Sequence, residues 1–128
     1  MSQPIVFISH FKVKEGKLGA LKQFAKAMTE QIQADKPGTV AFLQYLNEEG
    51  TEQSVIHVFP DAEAMDRHSE GVAERARDAL EFIVLTHREV YGLPNDNALA
   101  SLRPPEGSGI TLTFMPHSMG GYIRLKQG

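Results

Sequence analysis

Residues 36–68 read KPGTVAFLQYLNEEGTEQSVIHVFPDAEAMDRH, and their reading decides the fold. Pro37-Gly38 cannot sit inside a helix, and the run from Thr39 to Asn47 that follows is rich in β-branched and aromatic residues, as a strand requires. Asn47-Glu48-Glu49-Gly50 is a polar cluster closed by glycine, suited to a four-residue hairpin loop. Gln53 to Phe59 is then the returning strand. Pro60 stops it, and Asp61 can cap a helix that begins at Ala62, with Glu63 and Asp66 near its positive end.

The two strands carry little polar surface. Alternation sets Thr39, Ala41, Leu43 and Tyr45 against Val40, Phe42, Gln44 and Leu46, and sets Val55, His57 and Phe59 against Ser54, Ile56 and Val58. A hairpin with one wet face alternates cleanly, so both faces here are expected to be covered. Helices can cover one. In a chain of 128 residues the simplest cover for the other is a second copy of the same sheet, which predicts a homodimer.

Outward from the hairpin, Pro4 to Val13 (PIVFISHFKV) is a strand with two largely apolar faces, Ile5, Phe7, Ser9, Phe11 and Val13 on one of them. From Leu18 the residues Leu21, Phe24, Ala25, Met28 and Ile32 recur at three- and four-residue steps, an amphipathic helix ending before Pro37. Ser69-Glu70-Gly71 breaks the helix that starts at Ala62. Val72 to about Val84 is helical by its stripe of Val72, Ala76, Ala79, Leu80 and Ile83, and Leu85 to Tyr91 alternates as a fourth strand. The order β-α-β-β-α-β predicts an α+β, ferredoxin-like antiparallel sheet, with strands in the order fourth, first, third, second and both helices on one face. The domain is expected to span 1–94. Residues 95–128 form a C-terminal extension: a short helix from Asn95 to Leu102, then a hairpin of Ile110–Phe114 and Tyr122–Leu125, packed on the same domain because the roughly 36 residues after Gly92 cannot build a core alone.

Composition excludes several classes. A net charge of −3 with no basic run gives no nucleic-acid surface. The absence of cysteine removes disulfides, thiolate nucleophiles and thiolate metal sites. No apolar stretch approaches the roughly 20 residues that span a bilayer. The N-terminus lacks the basic flank of a signal peptide, so a cytoplasmic protein with no membrane partner is expected. No glycine-rich phosphate loop follows a strand, and the five histidines, His10, His57, His68, His87 and His117, lie on separate elements without metal-ligand spacing, so neither a cofactor nor a metal is expected.

Three segments, HFKVKEGKL at 10–18, PGTVAFLQYLNEEGTE at 37–52 and IHVFPDAEAMDRH at 56–68, resemble the antibiotic biosynthesis monooxygenase domain family in order and spacing. The resemblance covers about residues 5 to 91. It implies a dimeric α+β barrel with a pocket between sheet and helices in each subunit. Family members include cofactor-free monooxygenases of polycyclic phenols and quinols, and haem-degrading enzymes. This chain departs from the pattern on its third strand, where His57-Val58-Phe59 replaces the usual Glu, any residue, Trp or Tyr, and on its second, where Leu43 replaces an acid. Haem chemistry is not expected, since the chain has no Trp and the haem-degrading branch uses one at the position matching Phe59. The family histidine early in the second helix matches His68.

These features predict His68 and His57 as catalytic residues and Ser9, Phe11, Tyr45 and Phe59 as the substrate pocket. An imidazole with a pKa near neutrality can take a proton from a phenol or hydroquinone, and the electron-rich anion can then reduce molecular oxygen itself. The expected function is cofactor-independent oxidation of a quinol or polyphenolic aromatic small molecule. Two readings stand beside it: a non-catalytic small-molecule-binding dimer of the same fold, and an isomerase or decarboxylase using histidine as base.

Overall fold

Asn47 makes the turn of the central hairpin. Its Oδ1 accepts from the backbone N–H of Thr51 at 2.8 Å and of Glu52 at 3.0 Å, and Gly50 supplies the positive φ of +71° that closes the loop. Upstream, the Lys36 N–H still bonds to the Ile32 carbonyl at 2.9 Å, and Pro37 ends the helix there. The computed structural model in which these contacts are seen describes residues 3–124. Its elements are β1 (Ile5–Val13), α1 (Leu18–Asp35), β2 (Ala41–Leu46), β3 (Glu52–Phe59), α2 (Ala62–Ser69), α3 (Val72–Ala79), β4 (Ile83–Tyr91), α4 (Asp96–Leu102) and β5 (Thr111–Met115).

One sheet runs β2-β3-β1-β4-β5. The first four strands are antiparallel and in the expected ferredoxin-like order, and β5 adds to β4 in parallel. Register decides the faces. Phe7 stands opposite His57 and Val90, and Phe42 opposite His57, so these side chains share the helix-covered face with Ile5, Ser9 and Phe59. Burial follows that parity, with Gln53, Val55, His57 and Phe59 buried and their neighbours along β3 not. Ile5, Phe59, Ala64 and Met65 form a buried cluster, against which Phe7, Ala62 and Leu102 pack. Leu21 and Ile32 bury the inner face of α1.

The face away from the helices is mixed. Val6, Ile8, Ile56 and Val58 make an apolar centre across β1 and β3. Beside it, His10 Nδ1 meets Ser54 Oγ at 2.9 Å, and its Nε2 bonds to Glu89, which also accepts from the Tyr91 hydroxyl at 2.5 Å.

Three expectations are corrected. The helix expected to reach Val84 stops at Ala79, because Phe82 N–H turns back to the Ala79 carbonyl and Ile83 enters the sheet opposite Val13. Its stripe is also not buried, Val72 and Leu80 being half exposed. Tyr45 pairs with Ser54 and lies on the helix-free face, because the β2 residues opposite His57 and Val55 are Phe42 and Gln44. The C-terminal hairpin does not form among the described residues: Thr111–Met115 pairs with β4 instead, 116–124 carry no strand, and Leu125 lies outside the described residues.

Candidate functional site

The site is set by the step from β3 into α2. Phe59 is the last residue of β3, and Asp61 Oδ1 accepts from the Ala64 N–H at 2.8 Å, which closes the first turn of α2. Counted from that cap, His68 falls in the last turn and faces inward, 6% exposed. His57, two residues before Phe59 and on the same face, is 8% exposed.

The two imidazoles meet edge to face, with ring centroids 4.9 Å apart and planes at 82°. Three phenylalanines enclose them. Phe7 stacks on His57 at 5.1 Å, Phe42 meets its edge at 5.2 Å, and Phe59 lies 5.9 Å from His57 and 5.2 Å from His68. His57 Nδ1–H donates to the Phe7 carbonyl at 3.2 Å, which leaves Nε2 as an acceptor. His68 Nδ1 is paired with Thr39 Oγ1 at 2.8 Å.

Burial holds both groups neutral at physiological pH. Desolvation by the aromatic shell lowers His57 to about 4, with a smaller push from the positive charge of Arg75. Desolvation again dominates at His68, lowered to about 3, helped by His57, Arg75 and Lys36. The cations are fixed by the end of α2. Lys36 Nζ donates to the Arg67 carbonyl at 2.7 Å, and Arg75 donates to the His68 carbonyl at 2.6 Å and the Glu70 carbonyl at 2.9 Å. Cations at a helix C-terminus complement its dipole.

His68 lines a cleft of about 140 Å³ between the end of α1, the entry to β2, and α2. Lys36, Thr39, Ala64 and Arg67 line it together with the carboxylates of Asp35 and Glu70. His57 stands behind His68 rather than in the wall.

Of the residues predicted from sequence, His57, His68 and Phe59 come together. Ser9 is buried on the same face, opposite Val55 and Arg88, and Phe11 lies one pleat further along β1, opposite Gln53. Tyr45, opposite Ser54, does not line the His68 cleft. Phe7, Phe42, Thr39, Lys36 and Arg75 were not predicted as site residues. Strand parity could have supplied Phe7, whereas nothing in the local sequence points to Arg75. Arg88 was missed too. It is partly buried beside Ser9, donates to the Leu102 carbonyl at 2.9 Å, and has no carboxylate partner among the described residues. Among the described residues no group of three or more His, Asp or Glu is placed to hold a metal ion. No helix among them is long and apolar enough to cross a membrane.

No protein-family model matches the chain, and no curated protein matches it. Solved structures do. SnoaB from Streptomyces nogalater, a cofactor-independent oxygenase, superposes with a TM-score of 0.59 at 18% identity, over 73% of this chain and 96% of its own. A Chloroflexus aurantiacus protein named as a candidate antibiotic biosynthesis monooxygenase gives 0.55 at 12% identity, over 69% and 90%. The fold is that of the antibiotic biosynthesis monooxygenases. MupZ from Pseudomonas fluorescens shares this fold over a greater length, with a TM-score of 0.75 at 19% identity over 94% of this chain and 95% of its own. The MupZ match covers too much of this chain to leave out the whole C-terminal extension.

Proposed function

We propose that the protein is a cofactor-independent monooxygenase acting on a phenol or quinol, with His68 as the proton acceptor. One observation carries this reading: a buried, neutral imidazole lines a cleft, and a second imidazole and three phenyl rings stand behind it. The fold shared with SnoaB supports it.

In the tautomer whose Nδ1–H donates to Thr39 Oγ1, His68 Nε2 carries the lone pair that removes a phenolic proton. Imidazolium is disfavoured here while it is alone. A phenolate formed beside it offsets part of that penalty, because the anion is attracted to the new cation and to the Lys36 ammonium of the cleft wall. The phenolate then gives electrons to molecular oxygen, one oxygen atom bonds to a ring carbon, and the other leaves as water. For a naphthol-like ring the sum is phenol plus O2 to quinone plus water, and the substrate supplies every electron. His57 holds His68 in place and takes no proton from the substrate in this scheme. A dimer formed through the apolar centre of the helix-free face, made by Val6, Ile8, Ile56 and Val58, belongs to the same reading, since soluble monomers rarely leave large contiguous apolar patches open.

The test is oxygen consumption with a panel of naphthols and hydroquinones, with and without added flavin. Turnover that needs no flavin supports the proposal. Saturable binding of the same compounds without oxygen uptake supports the binding-protein reading instead.

A further inference from the structure

Exposed large apolar side chains gather at the two edges of the sheet. At one edge β2 carries Leu43, Tyr45 and Leu46, with no charge and no proline along Ala41–Leu46 to discourage pairing. At the other, the chain leaves β5 and bares Met119, Tyr122 and Ile123. Among the described residues, 116–124 hydrogen-bond only with one another, from Gly120 N–H to Ser118 Oγ at 3.2 Å and from Arg124 to the Tyr122 hydroxyl at 3.4 Å. A segment that ties itself to nothing in its own chain, and holds apolar side chains in water, has the character of an arm that docks on another molecule.

The register says where such an arm meets a second copy. On the helix-free face Met115, Tyr91, Val6, Val58 and Ala41 form one row across the five strands. The apolar centre of that face lies on β1 and β3. Two copies that stack these centres face to face share a two-fold axis running along the strands, between β1 and β3. Each β1 then faces the β3 of the other copy, and each β4 faces its β2. β5 overhangs by one strand, beside the free edge of β2 in the second copy. Facing sheets lie about 10 Å apart, a gap that 116–119 cross at about 3.3 Å per extended residue. Gly120 and Gly121, with φ of +123° and +140°, supply the turn that sends Tyr122 and Ile123 back along that edge. Within one chain the arm and β2 are four strand spacings apart, about 19 Å.

We infer that 116–124 form an arm exchanged between two copies of this chain, with Tyr122 and Ile123 of each packing against Leu43 and Tyr45 at the β2 edge of the other. The inference rests on the dimer proposed above and adds a contact that the apolar centre does not supply.

The chain has no cysteine, so Tyr122→Cys offers a single attachment point for a nitroxide spin label. The labelled variant is mixed with isotope-labelled wild type, and the amide resonances of the wild-type copies are followed. Broadening is expected along Ala41–Leu46 of those copies. Replacing the apolar side chains, in Met119→Ser/Tyr122→Ser, should weaken dimerisation about tenfold in sedimentation equilibrium, and both side chains stand in solvent, so the fold is untouched. Broadening of β2 within the spin-labelled chain itself, when it is isotope-labelled and diluted into excess unlabelled wild type, would place the arm on its own sheet and overturn the inference. Broadening absent from β2, or full-strength dimerisation of the double variant, would overturn it too while leaving the dimer standing. A wild type that sediments at 14.2 kDa would remove dimer and arm exchange together.

Discussion

His57 and His68 touch edge to face at 4.9 Å between ring centroids, although one belongs to the sheet and the other to the last turn of α2. Their contact ties the helix to the strand that precedes it, inside a shell of phenylalanines that keeps both rings uncharged. The consequences concern stability as much as chemistry.

The first is a pH dependence. Burial lowers His57 from 6.5 to about 4 and His68 to about 3, so the unfolded chain takes up protons at these rings well before the folded chain does. Stability from this source is complete above about pH 6.5 and is lost as pH falls from there toward 3. For His57 alone the loss amounts to on the order of 3 kcal/mol by pH 4, at about 1.4 kcal/mol per pKa unit. Urea unfolding at pH 7 and pH 4.5 should show a smaller drop in His57→Phe than in the wild type. Equal drops would contradict the assignment.

A second prediction concerns Gly92, where β4 ends. Its φ is +103°, and a Cβ there would lie 2.7 Å from the Pro4 carbonyl oxygen and 3.3 Å from the Ile5 Cα. Its N–H also bonds to the Met115 carbonyl at 3.0 Å, so the same residue anchors β5. Gly92→Ala should cost about 2–4 kcal/mol in denaturant unfolding, from strained backbone and contact with main-chain atoms that cannot yield. A cost below 1 kcal/mol would show that the turn relaxes freely.

Much of this architecture was legible in the sequence because local chemistry and long-range packing agree. Pro37-Gly38, the Asn47–Gly50 turn and the Asp61 cap each act within a few residues, and strand parity carried His57 and Phe59 to the correct face. Failures came where tertiary pairing overrides a local pattern. Ile83 fits a helical stripe, but its pairing with Val13 takes it into β4. Tyr45 was assigned to the pocket without the cross-strand register that sets it opposite Ser54. The charges around His68 come from Lys36 and Arg75, whose roles depend on backbone carbonyls at the end of α2, and no spacing rule announces such contacts.

The proposed dimer gives a third prediction. Ile56 pairs with Ile8 and with Leu43, which is 44% exposed, near the middle of the helix-free face. Ile56→Glu should place a charge in the proposed interface and yield protomers of 14.2 kDa in sedimentation equilibrium, while the wild type is expected at twice that mass. A wild-type chain that remains at 14.2 kDa at micromolar concentration would rule the dimer out.

The most direct test of the central claim compares oxygen uptake by the wild type and by His68→Ala, using a naphthol or hydroquinone that the wild type turns over. The variant should fold, keep its oligomeric state, and lose roughly 100-fold in turnover, the low end of what positioned acid–base groups contribute. His57→Phe should lose less, since His57 orients His68 and does not line the cleft. A His68→Ala protein as active as the wild type would contradict the account.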